Sequence, residues 1–106
     1  MSELILDPRS TAIVVIDIQK GVVGMPGAPH PTGSVAVNCV RLVAAVRRGG
    51  GQPILVHVGG SRGGADRLSL TADQPWSSPA ALPPDWSDLA PELGSHSDDI
   101  VILKRQ

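Results

Sequence analysis

The sequence has few of the residues that usually build a large core or a crosslinked scaffold. It contains two tryptophans, no phenylalanine, no tyrosine and one cysteine. A single cysteine excludes an internal disulfide framework. Without Phe and Tyr the core must consist of Val, Ile, Leu and Ala, which bury less area per side chain. A chain of 106 residues therefore has little apolar area to spare.

The sequence also lacks a large excess of charge of either sign and any long apolar run. The formal net charge is −1, which excludes the electrostatic signature of a nucleic-acid-binding protein or of a protein that binds anionic membranes. No window approaches the roughly 18 apolar residues of a membrane-spanning helix. The first ten residues, MSELILDPRS, contain acids and lack the apolar segment of a signal peptide. We therefore expect one cytoplasmic domain, residues 1–106, that binds neither nucleic acid nor membrane.

Three apolar runs predict buried strands. They are TAIVVID at 11–17, PILVHV at 53–58 and DIVIL at 99–103. The first run does not alternate between apolar and polar residues, which is typical of a parallel sheet covered on both faces. Strand, helix and strand in succession then form a βαβ unit with a right-handed crossover.

The segment between the first two runs predicts the crossover helix. Five residues recur at the spacing of one helix face: Val35, Cys39, Leu42, Val43 and Val46. Ser34 is the expected N-cap. The glycines at 49–51 can adopt the left-handed backbone conformation that ends a helix.

The remaining segments predict less regular structure. Glycine and proline make 21–31 a loop, and 59–84 is expected to be an irregular excursion within the domain. Asp85 is expected to cap a short helix over 85–94, which Gly94 ends.

Three parallel strands with one full crossover helix cannot cover both faces of their own sheet. In a doubly wound sheet of order 3-2-1-4-5-6 the first strand is central and needs a fourth strand beside it. The apolar edge at 12–16 would otherwise be exposed and would invite pairing with another chain. We therefore expect the front part of a larger fold, which associates through this edge or forms a homo-oligomer.

The carboxyl ends of the strands indicate where a site would lie, because open α/β sheets bind ligands there. Asp17 closes the first strand and Lys104 closes the third. These strands lie roughly 10 Å apart across the second, so the two side chains can converge on a small ligand or on each other. The carboxylate could then act as a base and the ammonium could stabilise negative charge. The alternatives are an Asp that caps the following loop and a Lys that is merely solvated.

Three segments carry a family resemblance: TAIVVIDIQKGVVG, RLVAAVRRGGGQPILVHVG and DWSDLAPELGSHSDDIVILKRQ. In this order they resemble the N-terminal part of the isochorismatase-like hydrolases, a cysteine hydrolase family that includes nicotinamidases. The shared features are a strand ending in D-x-Q, a helix, glycine and proline before the second strand, and an acidic turn before a strand ending in Lys. The resemblance implies a Rossmann-like three-layer α/β fold with a parallel sheet, of which this chain has the first three strands.

The same resemblance implies a mechanism. The family uses Asp, Lys and Cys to hydrolyse small amides or similar C–N bonds, and Asp17 and Lys104 match the first two. The nucleophilic cysteine belongs after the fourth strand, which this chain does not reach. Cys39 lies in the middle of the predicted helix, where a buried and inert thiol is expected. Two alternatives stay open: a truncated member that acts as a binding or interaction subunit without turnover, and cysteine-independent cleavage of a vinyl ether.

Gln19 and His57 complete the candidate site as substrate contacts, although a hydrogen-bonded core side chain is the alternative for His57. Metal-dependent members of the family carry Asp-x-His-x-x-His after the second strand. Here that region is HVGGSRGGADRL, with one His, so no metal is expected. GGSRGGAD also lacks the spacing of a dinucleotide-binding loop. The sequence thus predicts a small-molecule substrate and no cofactor.

Overall fold

The structure is a computed structural model that describes residues 3–60, 66, 71–73 and 82–105. Three parallel strands form one sheet in the order β1-β2-β3: β1 (Ala12–Ile16), β2 (Gln52–Val58) and β3 (Ile100–Lys104). Two α-helices, α1 (Lys20–Val23) and α2 (Thr32–Arg48), follow β1. The predicted parallel α/β architecture is confirmed.

Helix α2 covers one face of β1 and β2, because alternate strand residues point towards it. Val15 of β1 and Leu55 of β2 are almost inaccessible to solvent and pack with Val43 of α2 and with Leu93. Partly buried side chains surround this centre: Ile13, Ile18, Cys39, Val40 and Leu89. The core is aliphatic, as the composition requires.

The opposite face of the sheet carries two apolar rows. The strand register aligns Val14 with Ile54 and Ile100, and Ile16 with Val56 and Ile102. Side chains aligned in this way project from the same face of a sheet. The outer members of both rows are about half exposed, between 46% and 54%, so this face is largely uncovered by the described residues.

Helix α2 begins earlier than predicted. Its N-cap is Pro31 and its first residue is Thr32, so the assignment of Ser34 as N-cap is wrong. Pro31 fixes its own φ at −57° with an extended ψ, a geometry that leads directly into a helix. The hydroxyl of Thr32 donates to the carbonyl oxygen of Val23 and thereby ties the start of α2 to the end of α1. At the other end Gly50 has φ +84°, as expected for a left-handed stop.

Two other segments differ from the predictions. The expected loop at 21–31 opens with the end of the short helix α1. The expected helix over 85–94 is not formed: turns occupy 84–87, and a 3-10 turn follows at Pro91–Leu93. Pro91 explains the difference, because it lacks an N–H and disfavours helical backbone at Ala90, which is extended. Gly94, with φ +57°, ends the 3-10 turn.

Most of the predicted excursion at 59–84 lies outside the described residues. Among the helices that are described, none has the length and apolar character to cross a membrane.

Candidate functional site

The predicted acid and amine meet at the carboxyl edge of the sheet. Lys104 is the last residue of β3, and Asp17 directly follows β1. Lys104 Nζ donates to Asp17 Oδ2 over 3.4 Å, and each side chain is 36% exposed. The lysine stem crosses the width of β2 to reach the carboxylate. The pair is therefore formed and is partly exposed to solvent.

The backbone of Asp17 is held in an uncommon conformation. Its φ is +63°, and it is the one non-glycine residue with positive φ among the described residues. Its N–H donates to the carbonyl oxygen of Val56 over 2.8 Å, so the ladder with β2 continues one residue beyond β1. Left-handed backbone at a residue with a side chain is strained and is concentrated at functional sites, although Asp tolerates it better than most residues. This turn aims the carboxylate along the edge of the sheet.

One oxygen of Asp17 has no hydrogen-bond partner among the residues that the structure describes. Oδ2 faces Lys104, whereas Oδ1 is buried and has no hydrogen-bond partner among the described residues. Buried carboxylate oxygens normally accept hydrogen bonds. Oδ1 is thus the atom at which the carboxylate can take a proton or hold a donor from a bound molecule.

Gln19 locks the segment that carries Asp17. Its side chain is fully buried. The amide oxygen accepts from Val58 N–H over 2.8 Å, and Nε2 donates to the carbonyl oxygens of Val58, at 2.9 Å, and Trp86, at 3.3 Å. Gln19 therefore holds the segment that follows Asp17 against Val58 of β2. Val58 is the residue aligned with Lys104 in the sheet register. Its predicted contact with substrate stays a prediction, since its amide is engaged by the main chain here.

His57 also bonds to the main chain. Its Nδ1 forms a hydrogen bond with the carbonyl oxygen of Ser87, and the residue is half-buried. This contact matches the alternative of a hydrogen-bonded core side chain. A role for His57 in substrate binding stays a prediction.

The turn at 84–87 is held against α1 by contacts that the sequence reasoning missed. Lys20 Nζ contacts Asp85 Oδ2 at 2.8 Å, and Gly21 N–H donates to the carbonyl oxygen of Trp86 over 2.8 Å. The hydrogen bond from Lys20 lowers the pKa of Asp85, and Asp85 in turn raises the pKa of Lys20. Asp85 was expected to cap a helix, so its partner 65 positions away gave no local signal.

Cys39 lies away from this edge of the sheet, in the middle of α2. It is half-buried and packs against the core, and burial raises the pKa of its thiol. A raised pKa leaves less of the reactive thiolate at neutral pH. The position agrees with the expected packing role.

Two surface clefts lie elsewhere in the described part of the chain. One, of about 490 Å³, is formed by residues between Val23 and Gly33, and the other, of about 340 Å³, runs along α2 past Val37 and Glu92. Neither is lined by Asp17 or Lys104. Within the described residues, no group of three His, Cys, Asp or Glu side chains could hold a metal ion.

Comparisons with known proteins identify relatives along nearly the whole chain. No family model matches the sequence. An uncharacterized isochorismatase family protein, YecD of Escherichia coli O157:H7, is 43% identical over 103 residues, which are 95% of this chain and 53% of YecD. Another, YwoC of Bacillus subtilis, is 35% identical over all of this chain and 54% of its own length.

A solved structure agrees with these similarities. An isochorismatase family protein from Burkholderia thailandensis superposes with a TM-score of 0.79 at 38% identity, over 95% of this chain and 52% of the other. The chain thus spans about half the length of the relatives it matches. The predicted resemblance is confirmed, and the chain belongs to the isochorismatase family.

Proposed function

We propose that this chain contributes the acid and the lysine of a hydrolytic site that cleaves a small amide or a similar C–N bond. The observation that carries the proposal is the pair of Asp17 and Lys104 at the carboxyl edge of the sheet, with Oδ1 of Asp17 left unsatisfied among the described residues. Membership of the isochorismatase family supports a hydrolase-like function.

In the proposed reaction each group has one task. Asp17 Oδ1 takes the proton of a thiol as the sulfur attacks the carbonyl carbon of the substrate. Lys104 holds the carboxylate in place through its contact with Oδ2. When the C–N bond breaks, the proton passes from Asp17 to the leaving nitrogen, and water then hydrolyses the thioester. The net reaction consumes one water and yields an acid and an amine.

The thiol in this scheme comes from outside the 106 residues. The sole cysteine in the sequence is Cys39, which packs against the core on α2. The relatives are about twice as long as the matched region, so there is room in such chains for a nucleophile. The position of Cys39 equally favours a second candidate function, thiol-independent cleavage of a vinyl ether, in which Asp17 would donate a proton to the substrate.

A chimera tests the proposal. This chain replaces the matching part of YecD, and the release of ammonia is measured on a panel of small primary amides. Asp17→Asn and Lys104→Met should each lower kcat/KM by at least about 100-fold. Lys20→Met and Asp85→Asn are the matched controls, because they break an ion pair outside the site, and they should leave the rate unchanged.

Three outcomes would contradict amide hydrolysis. The first is that no amide in the panel is hydrolysed, and the second is that the Asp17 and Lys104 variants keep full activity. The third is that the chimera cleaves a vinyl ether but no amide, and that alkylation of its thiols does not reduce this activity. The last result would establish the second candidate instead.

A further inference from the structure

We propose that His57 is a specificity residue of the proposed hydrolytic site, and that its Nε2 accepts a hydrogen bond from an N–H of the leaving nitrogen of the substrate. The proposal rests on the proposed function and adds to it a preference for an amide over the ester of the same acid. Three observations carry it: the partner of His57 Nδ1, the way in which that partner is held, and the position of His57 beside Asp17.

The partner of Nδ1 determines which ring nitrogen of His57 carries the proton. Nδ1 forms a hydrogen bond with the main-chain carbonyl oxygen of Ser87, and a carbonyl oxygen can only accept. In the neutral ring the single proton is therefore on Nδ1, and Nε2 keeps its lone pair. Within the described segments Nε2 has no hydrogen-bond partner, so it is an acceptor without a donor.

The carbonyl group of Ser87 is held on both sides by main-chain hydrogen bonds. The carbonyl oxygens of its neighbours Trp86 and Asp88 accept from the first two N–H groups of α1, at 2.8 and 2.9 Å. The carbonyl oxygen between them is thereby fixed in front of the ring of His57. A ring nitrogen that bonds to a fixed carbonyl oxygen keeps the imidazole in one tautomer and one orientation.

The sheet places His57 beside Asp17. The register aligns Ile16 with Val56, and the hydrogen bond from Asp17 N–H to the carbonyl oxygen of Val56 extends this pairing by one residue. Asp17 and His57 are therefore neighbours on adjacent strands, which lie about 4.8 Å apart. Asp17 Oδ1 is also an acceptor without a donor in the described part of the chain. The two acceptors belong to the edge of the sheet at which open α/β folds bind ligands.

Two neighbouring acceptors favour a ligand that brings N–H donors. The nitrogen of an amide supplies them, whereas the leaving oxygen of an ester does not. A site that hydrogen-bonds an N–H discriminates against the analogue that lacks it, because the acceptor is then left unpaired. In the proposed reaction, Nε2 of His57 accepts an N–H of the leaving nitrogen and thereby turns the nitrogen lone pair towards the proton on Asp17. His57 forms and breaks no covalent bond, so the net reaction is unchanged.

The kinetic test uses the chimera with YecD and compares benzamide with methyl benzoate, which have the same acyl group. His57→Asn can still donate to the carbonyl oxygen of Ser87 but has no acceptor in place of Nε2. It should lower the ratio of kcat/KM for the amide to that for the ester by at least about tenfold. The value for the ester should change by less than about twofold. His96→Asn is the matched control, because His96 is an exposed histidine, and it should leave the ratio unchanged.

A spectroscopic test does not depend on turnover. NMR of the labelled ring nitrogens of the chimera should show His57 as the Nδ1–H tautomer, with its signals assigned by their absence from His57→Asn. Benzamide should shift the Nε2 resonance of His57, and methyl benzoate should not.

Several outcomes would overturn the role of His57. They are an Nε2–H tautomer, an Nε2 resonance that benzamide does not shift, and an amide-to-ester ratio that His57→Asn leaves unchanged. Equal losses for the amide and the ester would also overturn it, because a purely structural role lowers both. If neither compound is hydrolysed, the proposed function fails, and the response of Nε2 to benzamide still decides whether His57 recognises the amide.

Discussion

Lys104 Nζ lies 3.4 Å from Asp17 Oδ2, although 87 positions separate the two residues. The contact exists because β1 and β3 run parallel on either side of β2, which places both strand ends on one edge. The separation is long for a charged hydrogen bond, and both side chains are partly exposed. The pair therefore contributes little to the stability of the fold.

The backbone of Asp17 gives the first prediction. Asn tolerates left-handed backbone about as well as Asp does, whereas a β-branched residue does not. Asp17→Asn should change the free energy of unfolding by less than about 1 kcal/mol, and Asp17→Val should lower it by about 1–2 kcal/mol more. Urea unfolding followed by circular dichroism measures both. Equal stabilities of the two variants would mean that φ +63° is not maintained in solution.

Gln19 gives the second prediction. Gln19→Met keeps the length of the side chain but leaves the N–H and C=O of Val58 and the carbonyl of Trp86 without this partner. We expect a loss of about 2–4 kcal/mol in the free energy of unfolding.

The same substitution at Gln52 is the control for Gln19. Gln52 is less buried, and its amide donates to the carbonyl oxygens of Pro53 and Asp98. Gln52→Met should cost under about 1 kcal/mol. Similar losses at both positions in urea unfolding would show that the Gln19 amide has no special part in holding the Asp17 loop.

Asp99 gives a prediction about pH. Burial opposes its ionisation, but the N–H of His96 and the guanidinium of Arg47, at 2.7 Å, lower its pKa below the usual value. A group whose pKa is lower in the folded state stabilises the fold above its unfolded pKa of about 3.9, and this stabilisation is lost as the pH falls through the folded value. The free energy of unfolding should therefore fall below about pH 4, and Asp99→Asn should flatten this decline.

The control for Asp99 exploits solvent screening. Asp85 also has a lowered pKa, but its side chain is 50% exposed, against 1% for Asp99. Salt screens exposed pairs much more than buried ones. In high salt, Asp85→Asn should keep the wild-type pH dependence of unfolding and Asp99→Asn should not. If the two variants behave alike, the Arg47 contact does not govern acid stability.

Gly21 gives the fourth prediction. A Cβ at this position would lie 3.0 Å from both Cβ and the carbonyl oxygen of Trp86, where the turn packs on α1. Gly21→Ala should lower the free energy of unfolding by about 1–2 kcal/mol. Gly24→Ala meets no atom within 4 Å and should be neutral or slightly stabilising. Thermal unfolding of both variants measures these changes in stability. If Gly21→Ala is as stable as the wild type, the turn does not approach α1 this closely.

The elements that the sequence predicted well are those with strong local patterns. The run at 11–17 and the runs at 53–58 and 99–103 became β1, β2 and β3 with small shifts, because β-branched residues without alternation favour buried strands. The helix end at the glycines was also correct. The predicted N-cap at Ser34 was wrong. The helix already begins after Pro31, so Ser34 lies inside its first turn and cannot cap it.

The segment at 85–94 shows how a local pattern can mislead. Its Asp and its spaced apolar residues suggested a capped helix, whereas Asp85 pairs with Lys20 and Leu89 forms a bridge with Gln19. Both partners lie more than 60 residues away. Long-range contacts of this kind override weak helix propensity, the more so where Pro91 interrupts the backbone.

The sequence by itself determined the parallel strands, the aliphatic core and the placement of Asp17 and Lys104 at strand ends, because periodicity and residue type act locally. Only the tertiary structure decided that Asp17 takes a positive φ and that Asp99 pairs with Arg47. The same is true of the hydrogen bonds between the Gln19 side chain and the main chain of Val58 and Trp86. These features depend on which backbone and charged groups arrive from distant segments. Hydrogen bonds and ion pairs act over a few ångströms in space, whatever the distance along the chain.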